Sequence, residues 1–297
     1  MGAKLRVVRR RIRSVQSTMR ITRAMELIAA SRIVRAQQRA QQTRPYATRI
    51  TRVLENVASQ ADSLDHPLLE QREEKRAAAV FVVTSDRGLC GAYNSNVLKR
   101  AEELFSRLRG QGMEPKLYVC GRKGVSYYRF RQRPVEQAWT GFSESPSYDD
   151  AKAVADAMIG AFLDGGVDEI HGAYTDYVSA LVQRPEARRF VPLVVEETTE
   201  APEGPIPQYL FEPDAAALLA ELVPRYVESR VFAAMLDSAA SEHAARRRAM
   251  SAATDNADEL IKILTRQANQ ARQTEITQEI MEIVGGAEAL QQAAARS

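Results

Sequence analysis

The sequence predicts an α/β fold in two parts. One is a long antiparallel two-helix coiled coil formed by the N- and C-terminal segments, and the other is a central Rossmann-like α/β domain. Three observations predict it. From Phe232 onward, Phe232, Leu236, Ala239, His243, Arg246, Met250, Ala253, Ala257, Leu260, Leu264, Gln267, Ala271 and Thr274 recur in steps of three and four. This is a heptad seam of about six repeats. Residues 1–61 keep the same spacing, from Leu5, Val8, Ile12, Val15, Met19, Thr22 and Glu26 through Ala29, Ile33, Ala36, Ala40, Thr43, Ala47, Ile50, Leu54 and Val57. Between these segments the period changes to short Val-rich runs alternating with helical stretches, the pattern of a parallel sheet covered by helices.

Taken in order, residues 1–61 read as one helix, and Pro45 is expected to kink or loosen it near Arg44. The Arg-rich start resembles a transit peptide, but the heptad runs through any cleavage point, and no apolar stretch suits a secretory signal. Residues 62–76 are a polar linker. The central domain covers residues 77–207. Its expected strands are Ala77–Thr84, Lys116–Cys120, Val135–Trp139, Glu169–Thr175 and Phe190–Val195. Its expected helices are Asn94–Leu108, Val125–Phe130 and Tyr148–Leu163, the last with Asp149 and Asp150 near its N-terminus, where the dipole favours them. Pro202–Pro207 is a Pro-rich loop, and residues 208–297 return as the second coiled-coil helix.

About 80 helical residues reach roughly 120 Å, more than one compact domain can bury, so the far end needs an outside partner. Pairing the two helices with index sums near 270 puts Glu26 level with Arg246, where an ion pair would fix register as a polar layer. About thirty C-terminal residues then extend beyond the N-terminus without an intrachain partner.

Charged residues are 27% and hydrophobic ones 45% of the 297 residues, as in globular domains. Net charge is +3 overall but uneven, near +12 over the first sixty residues and mildly negative beyond. An electropositive rod therefore meets two weakly acidic parts. Cys90 and Cys120 make no disulfide framework and read as small buried residues. No run of about 18 apolar residues occurs, so no span or direct membrane insertion is expected.

A strand ending in a glycine turn before a helix is where doubly wound folds hold phosphates, which makes Ser85–Ala92 (SDRGLCGA) a candidate. It is not GxGxxG, no GxxxxGK[ST] occurs, and the plainer reading is a tight turn with close packing. Gly121–Gly124 reads the same way. His66, His171 and His243 have no Cys or His at metal-ligand spacing. No catalytic residue, metal or cofactor is predicted. Arg9, Arg10, Arg11 and Arg13 could bind nucleic acid, but they lie inside the heptad with few base-reading residues nearby, so a partner-facing basic surface is expected instead. A coiled-coil scaffold and an α/β enzyme with helical arms remain as alternatives on this reading.

Several long segments then resemble one family, the gamma subunit of the F-type rotary ATP synthase. They are Ile12–Arg32, Ser85–Asn94, Gln208–Leu219, Arg225–Ile261 and, most specifically, Ala271–Leu290 (ARQTEITQEIMEIVGGAEAL). Ala92 stands where that family commonly has glycine. The resemblance implies a central rotor shaft that couples c-ring rotation to ATP synthesis or hydrolysis on beta subunits. It implies three alpha and three beta subunits around the coiled coil, with the epsilon subunit and the c-ring at the α/β domain. It implies beta-subunit contacts at Arg272, Gln273, Thr277, Arg246, Arg87 and Met25, and c-ring contacts at Tyr209, Phe211 and Glu212. The implied location is peripheral, on the cytoplasmic face of a bacterial cell membrane. The closely spaced cysteine pair of the chloroplast form is not matched by Cys90 and Cys120.

Overall fold

The computed structural model describes residues 2–60, 68, 72, 74–192 and 215–294. In order the elements are α1 (Gly2–Gln60), β1 (Ala77–Val83), α2 (Tyr93–Gly110), β2 (Glu114–Cys120), α3 (Arg122–Phe130), β3 (Gln137–Trp139), α4 (Tyr148–Leu163), β4 (Glu169–Tyr177), β5 (Gln183–Val191) and α5 (Ala215–Ala294). They divide into two compact units, Ala29–Arg246 and Met1–Ile28 with Arg247–Ser297.

The Ala29–Arg246 unit is built on a five-stranded sheet of order β3-β2-β1-β4-β5. β1 lies between β2 and β4, parallel to both, and β3 is parallel to β2. All seven residues of β1 are buried, as the run AAAVFVV requires of a central strand covered on both faces. Ala78, Val80 and Val82 pack toward α2, against Leu104, Phe105 and Leu108. Ala79, Phe81 and Val83 share the other cluster with Met158 and Phe162 of α4 and Val227, Val231 and Met235 of α5. Helix α4 has its predicted limits, and a reciprocal capping box between Ser147 and Asp150 fixes its start.

Two elements differ from expectation. The last strand begins seven residues earlier than Phe190 and runs antiparallel to β4, closing a hairpin through residues 178–182. Its sequence QRPEARRFV is largely polar because it forms the sheet edge, where Pro185 and charged residues discourage further pairing. The second difference is α5. From Val227 to Arg246 it is shielded all round rather than along one seam. Ala234, Ser238, Ala239, Ala240, Ser241, Ala244 and Ala245 are each buried, so α5 here is a core element of the unit. Helix α1 stays helical through Pro45, which is exposed.

In the unit of Met1–Ile28 with Arg247–Ser297, the expected α1 seam holds. Leu5, Val8, Ile12, Val15, Met19, Thr22 and Glu26 are shielded, with Gln16 and Met25 beside them, and the arginines between them are exposed. Met250, Ala257, Leu264 and Ala268 are buried on α5. The helices are antiparallel, with the Thr22 and Thr254 hydroxyls 2.8 Å apart. The expected register put Thr22 near Arg248, so the pairing is shifted by more than one turn. Beyond Ala268 no described residue of α5 is buried.

Candidate functional site

In an open α/β sheet the ligand crevice lies at the carboxyl ends of the strands, where the order reverses. Here that point is the end of β1, which leads into the turn Ser85–Gly91. Leu89 and Gly91 take positive φ of 62° and 56°. Asp86 binds the neighbouring loops together: its carboxylate accepts from the Arg122, Gly141 and Ser143 amides. Its own amide donates to Ser143 Oγ at 2.8 Å. Asn94, one residue into α2, completes the turn by accepting from the Ser85 amide at 2.9 Å. At the neighbouring Gly121, φ is +98° and a Cβ would fall 2.2 Å from Thr84 O, which no side chain tolerates. The turn after β2 at Gly121 is therefore the close-packed kind.

The crevice itself is filled by α5. Ser238 Oγ accepts from the Thr175 amide, and Ser241 Oγ donates to the Thr175 carbonyl. Arg246 Nη2 reaches the carbonyls of Arg87 and Gly88 at 3.4 Å and Glu242 Oε1 at 2.6 Å. Its Nη1 lies 3.4 Å from Glu144 Oε1. Glu242 is fully buried, and its second oxygen has no hydrogen-bond partner. Burial pushes its carboxyl up to about 7, although Arg246 pulls the other way. An anion entering here would meet a buried carboxylate instead of a free cluster of donors. His243 Nε2 lies 3.0 Å from the Glu144 carbonyl, and burial holds its imidazole below its ordinary value. Burial also raises the Cys90 and Cys120 thiols, so neither is an activated nucleophile.

The expected site residues separate accordingly. Arg246 is 5% exposed, and its guanidinium is held by its own chain against Glu242 and Glu144. Arg87 is exposed and gives Arg246 only its carbonyl. Glu26 pairs with Arg23 at 2.9 Å. Within their own units, Glu26 pairs with Arg23 and Arg246 with Glu242. Met25 is half-buried. Arg272, Gln273 and Thr277 are exposed together on α5, where Thr277 Oγ1 donates back to the Gln273 carbonyl at 2.9 Å. Tyr209, Phe211 and Glu212 lie outside the described residues. Glu242, Glu144 and Asp86 were missed by the sequence reading. Asp86 was recognisable as the acid just past a buried strand, but Glu242 sits in SEHAARRR and looks like surface charge.

Among the described residues, no group of three or more His, Cys, Asp or Glu is placed to hold a metal ion, and no helix is long and apolar enough to cross a membrane. The exposed α5 surface beyond Ala268 carries Ile276, Ile280, Met281, Ile283 and Val284. An exposed apolar stripe of that kind marks a binding surface.

Comparison with known proteins agrees along nearly the whole chain. A family model described as ATP synthase matches residues 4–290. A protein of Acidothermus cellulolyticus named ATP synthase gamma chain is 63% identical over 295 residues, covering 98% of each chain. One of the same name from Frankia casuarinae is 61% identical, over 98% of this chain and 99% of that one. Among solved structures, a chain of the Euglena gracilis mitochondrial ATP synthase (OSCP/F1/c-ring, rotational state 3) aligns with TM-score 0.68 at 18% identity. It covers 98% of this chain and 95% of its own, a likeness of fold. With relatives this similar over their full length, the chain belongs to the ATP synthase gamma chain family.

Proposed function

We propose that this chain is the central rotor shaft of an ATP synthase, coupling rotation of a c-ring to ATP synthesis or hydrolysis on surrounding subunits. The observation that carries the reading is the last part of α5. Beyond Ala268 it keeps five large apolar side chains and the exposed Arg272, Gln273 and Thr277 uncovered by any described residue of its own chain. A helix with that surface needs an external sleeve. A ring of three alpha and three beta subunits supplies one, and the likeness of fold to a chain of the Euglena gracilis OSCP/F1/c-ring assembly supports it. The epsilon subunit and the c-ring complete the partners, with Tyr209, Phe211 and Glu212 assigned to the c-ring.

A single asymmetric shaft inside a three-fold collar cannot contact three copies alike. Its orientation gives each beta subunit a different contact energy, and differential contact energy is what shifts a conformational equilibrium. Turning the shaft therefore changes nucleotide affinity from site to site. On this reading the chain carries no active site, and its Arg272, Gln273, Thr277, Arg87 and Met25 hold beta loops. The complex places it peripherally, at the cytoplasmic face of a bacterial cell membrane.

The test is to purify the tagged chain from its own cells. Copurification with two nucleotide-binding subunits, each in threefold excess, is the expected result. Turnover of ATP by the isolated chain, or recovery without those partners, overturns the reading.

A further inference from the structure

Leu89, in the turn after β1, stands in the left-handed region with φ of 62°, and its side chain is 62% exposed. A left-handed residue is cheap as glycine or asparagine and costly as leucine, whose Cβ crowds the backbone. An exposed leucine gains little from burial in its own chain to offset that cost. Strain of this sort persists only where the surroundings over-determine the conformation, and it gathers at functional sites.

The surroundings of Leu89 do over-determine it. Ser85 Oγ donates to the Arg87 carbonyl at 2.6 Å, and the Tyr93 amide donates to the Cys90 carbonyl at 3.2 Å, so the turn is closed on both sides of Leu89. Helix α5 adds two further ties. Ala245 forms a buried cluster with Cys90 and Tyr93. Arg246 Nη2 reaches the carbonyls of Arg87 and Gly88, the two residues before Leu89, each at 3.4 Å. Glu242 Oε1, 2.6 Å from the same nitrogen, orients that guanidinium.

The charge around the exposed tip has one sign. Arg87 and Lys123 are both exposed, and Lys123 Cε lies 3.6 Å from where a Cβ on Gly88 would stand. Neither has an ion pair among the described residues. Asp86, the acid of the turn, has a side chain only 6% exposed, and its oxygens accept from three amides. An apolar side chain flanked by two cations is complementary to an acidic loop that brings an apolar residue of its own.

We infer that Leu89 is a coupling contact of this chain, seated against an acidic loop of a beta subunit, and that Arg246 is a positioning residue acting through Leu89. The inference rests on the rotor reading and gives the exposed Arg87 an apolar neighbour at the same contact. The Arg246 guanidinium serves by holding the two carbonyls that set the pose of the turn.

The experiment reconstitutes the full-length chain with alpha and beta subunits, measures ATPase turnover, and follows the Leu89 methyl groups of the labelled chain by NMR. Leu89→Asn suits the left-handed backbone and removes the apolar side chain. The expected result is a thermal midpoint no lower than wild type, intact assembly, and turnover reduced about tenfold. Arg246→Lys keeps a cation beside Glu242 and loses the fork that spans both carbonyls. It shifts the Leu89 methyl resonances and lowers turnover, and that loss nearly vanishes in the Leu89→Asn background. If Arg246→Lys does not fold, Glu242→Gln makes the same test through the same guanidinium. Full turnover with Leu89→Asn, or additive losses with unmoved Leu89 resonances, overturn the inference and leave the rotor reading standing. A wild-type chain that assembles no ATPase with those subunits overturns both.

Discussion

Arg246 Nη2 lies 2.6 Å from Glu242 Oε1, one turn away on the same helix, and both side chains are buried. The pair faces the carbonyls of the turn after β1 and the Glu144 carboxylate, so it joins α5 to the carboxyl edge of the sheet. Removing one member of such a pair leaves an uncompensated buried charge. Arg246→Met should destabilise the Ala29–Arg246 unit by roughly 3–5 kcal/mol. Arg272→Ala, at an exposed position, should change stability by less than about 0.5 kcal/mol. Denaturant unfolding of the two variants measures the contrast, and similar midpoints would show that Arg246 is not an anchor.

Glu242 makes the same region sensitive to pH. Its folded carboxyl is raised to about 7 from an ordinary 4.5, chiefly by burial. The folded state therefore holds the proton more tightly than the unfolded chain. The stability this contributes is full below about pH 4.5 and is lost as pH rises through about 7. Glu242→Gln keeps an acceptor for Arg246 and removes the titration. Wild type should lose on the order of 2 kcal/mol relative to this variant between pH 5 and 8. Parallel stability profiles for the two proteins would assign the titration elsewhere.

These residues also mark where the sequence was readable and where it was not. The α4 limits were legible because an apolar face and an N-terminal Ser with two acids coincide there. The α1 seam was legible because a period of 3.5 is independent of what covers it. β5 was not, since an edge strand keeps its polar side chains and lacks the apolar alternation that marks a strand. The all-round burial of α5 at Val227–Arg246 was hidden for a different reason. Ala and Ser are compatible with core and surface alike, so the heptad read through them showed one face where the fold uses all of them. The same ambiguity disguised Glu242. The exposed trio Arg272, Gln273 and Thr277 came from a resemblance rather than from any pattern in the residues.

The register of the helix pair rests partly on a contact that no apolar pattern reveals, the 2.8 Å approach of the Thr22 and Thr254 hydroxyls. With one proton each, one hydroxyl donates across the pair while the other donates to the carbonyl on its own helix, Met19 for Thr22 or Met250 for Thr254. Thr22→Val and Thr254→Val should therefore couple in a double-mutant cycle, with an interaction energy of about 0.5–1.5 kcal/mol. Strict additivity in thermal unfolding would mean that the hydroxyls contribute nothing to register.

Gln273 projects from an exposed stretch of α5, and its side chain has no partner among the described residues. If it grips a partner loop through its amide, Gln273→Leu leaves this chain's own stability within about 0.5 kcal/mol. ATPase turnover of the reconstituted complex should fall while subunit assembly is retained. Unchanged turnover in the intact complex removes Gln273 from the coupling contacts.

The division into units predicts an asymmetry in what truncation does. A chain ending at Thr265 loses residues 266–297, none of which belongs to the unit of Ala29–Arg246. A chain ending at Val231 loses Ala234, Met235, Leu236 and the Ser238–Arg246 stretch, which supply core packing and hydrogen bonds to Thr175. Fully burying one side chain such as Met or Leu is worth about 1.5–3 kcal/mol, so losing several exceeds the usual margin of a domain. Amide exchange of β1, whose residues are all buried, reports the outcome directly. Protection should persist in the first truncation and disappear in the second. Loss of protection in both would mean that the sheet depends on the far part of α5, and that α5 transmits stability as well as position along its length.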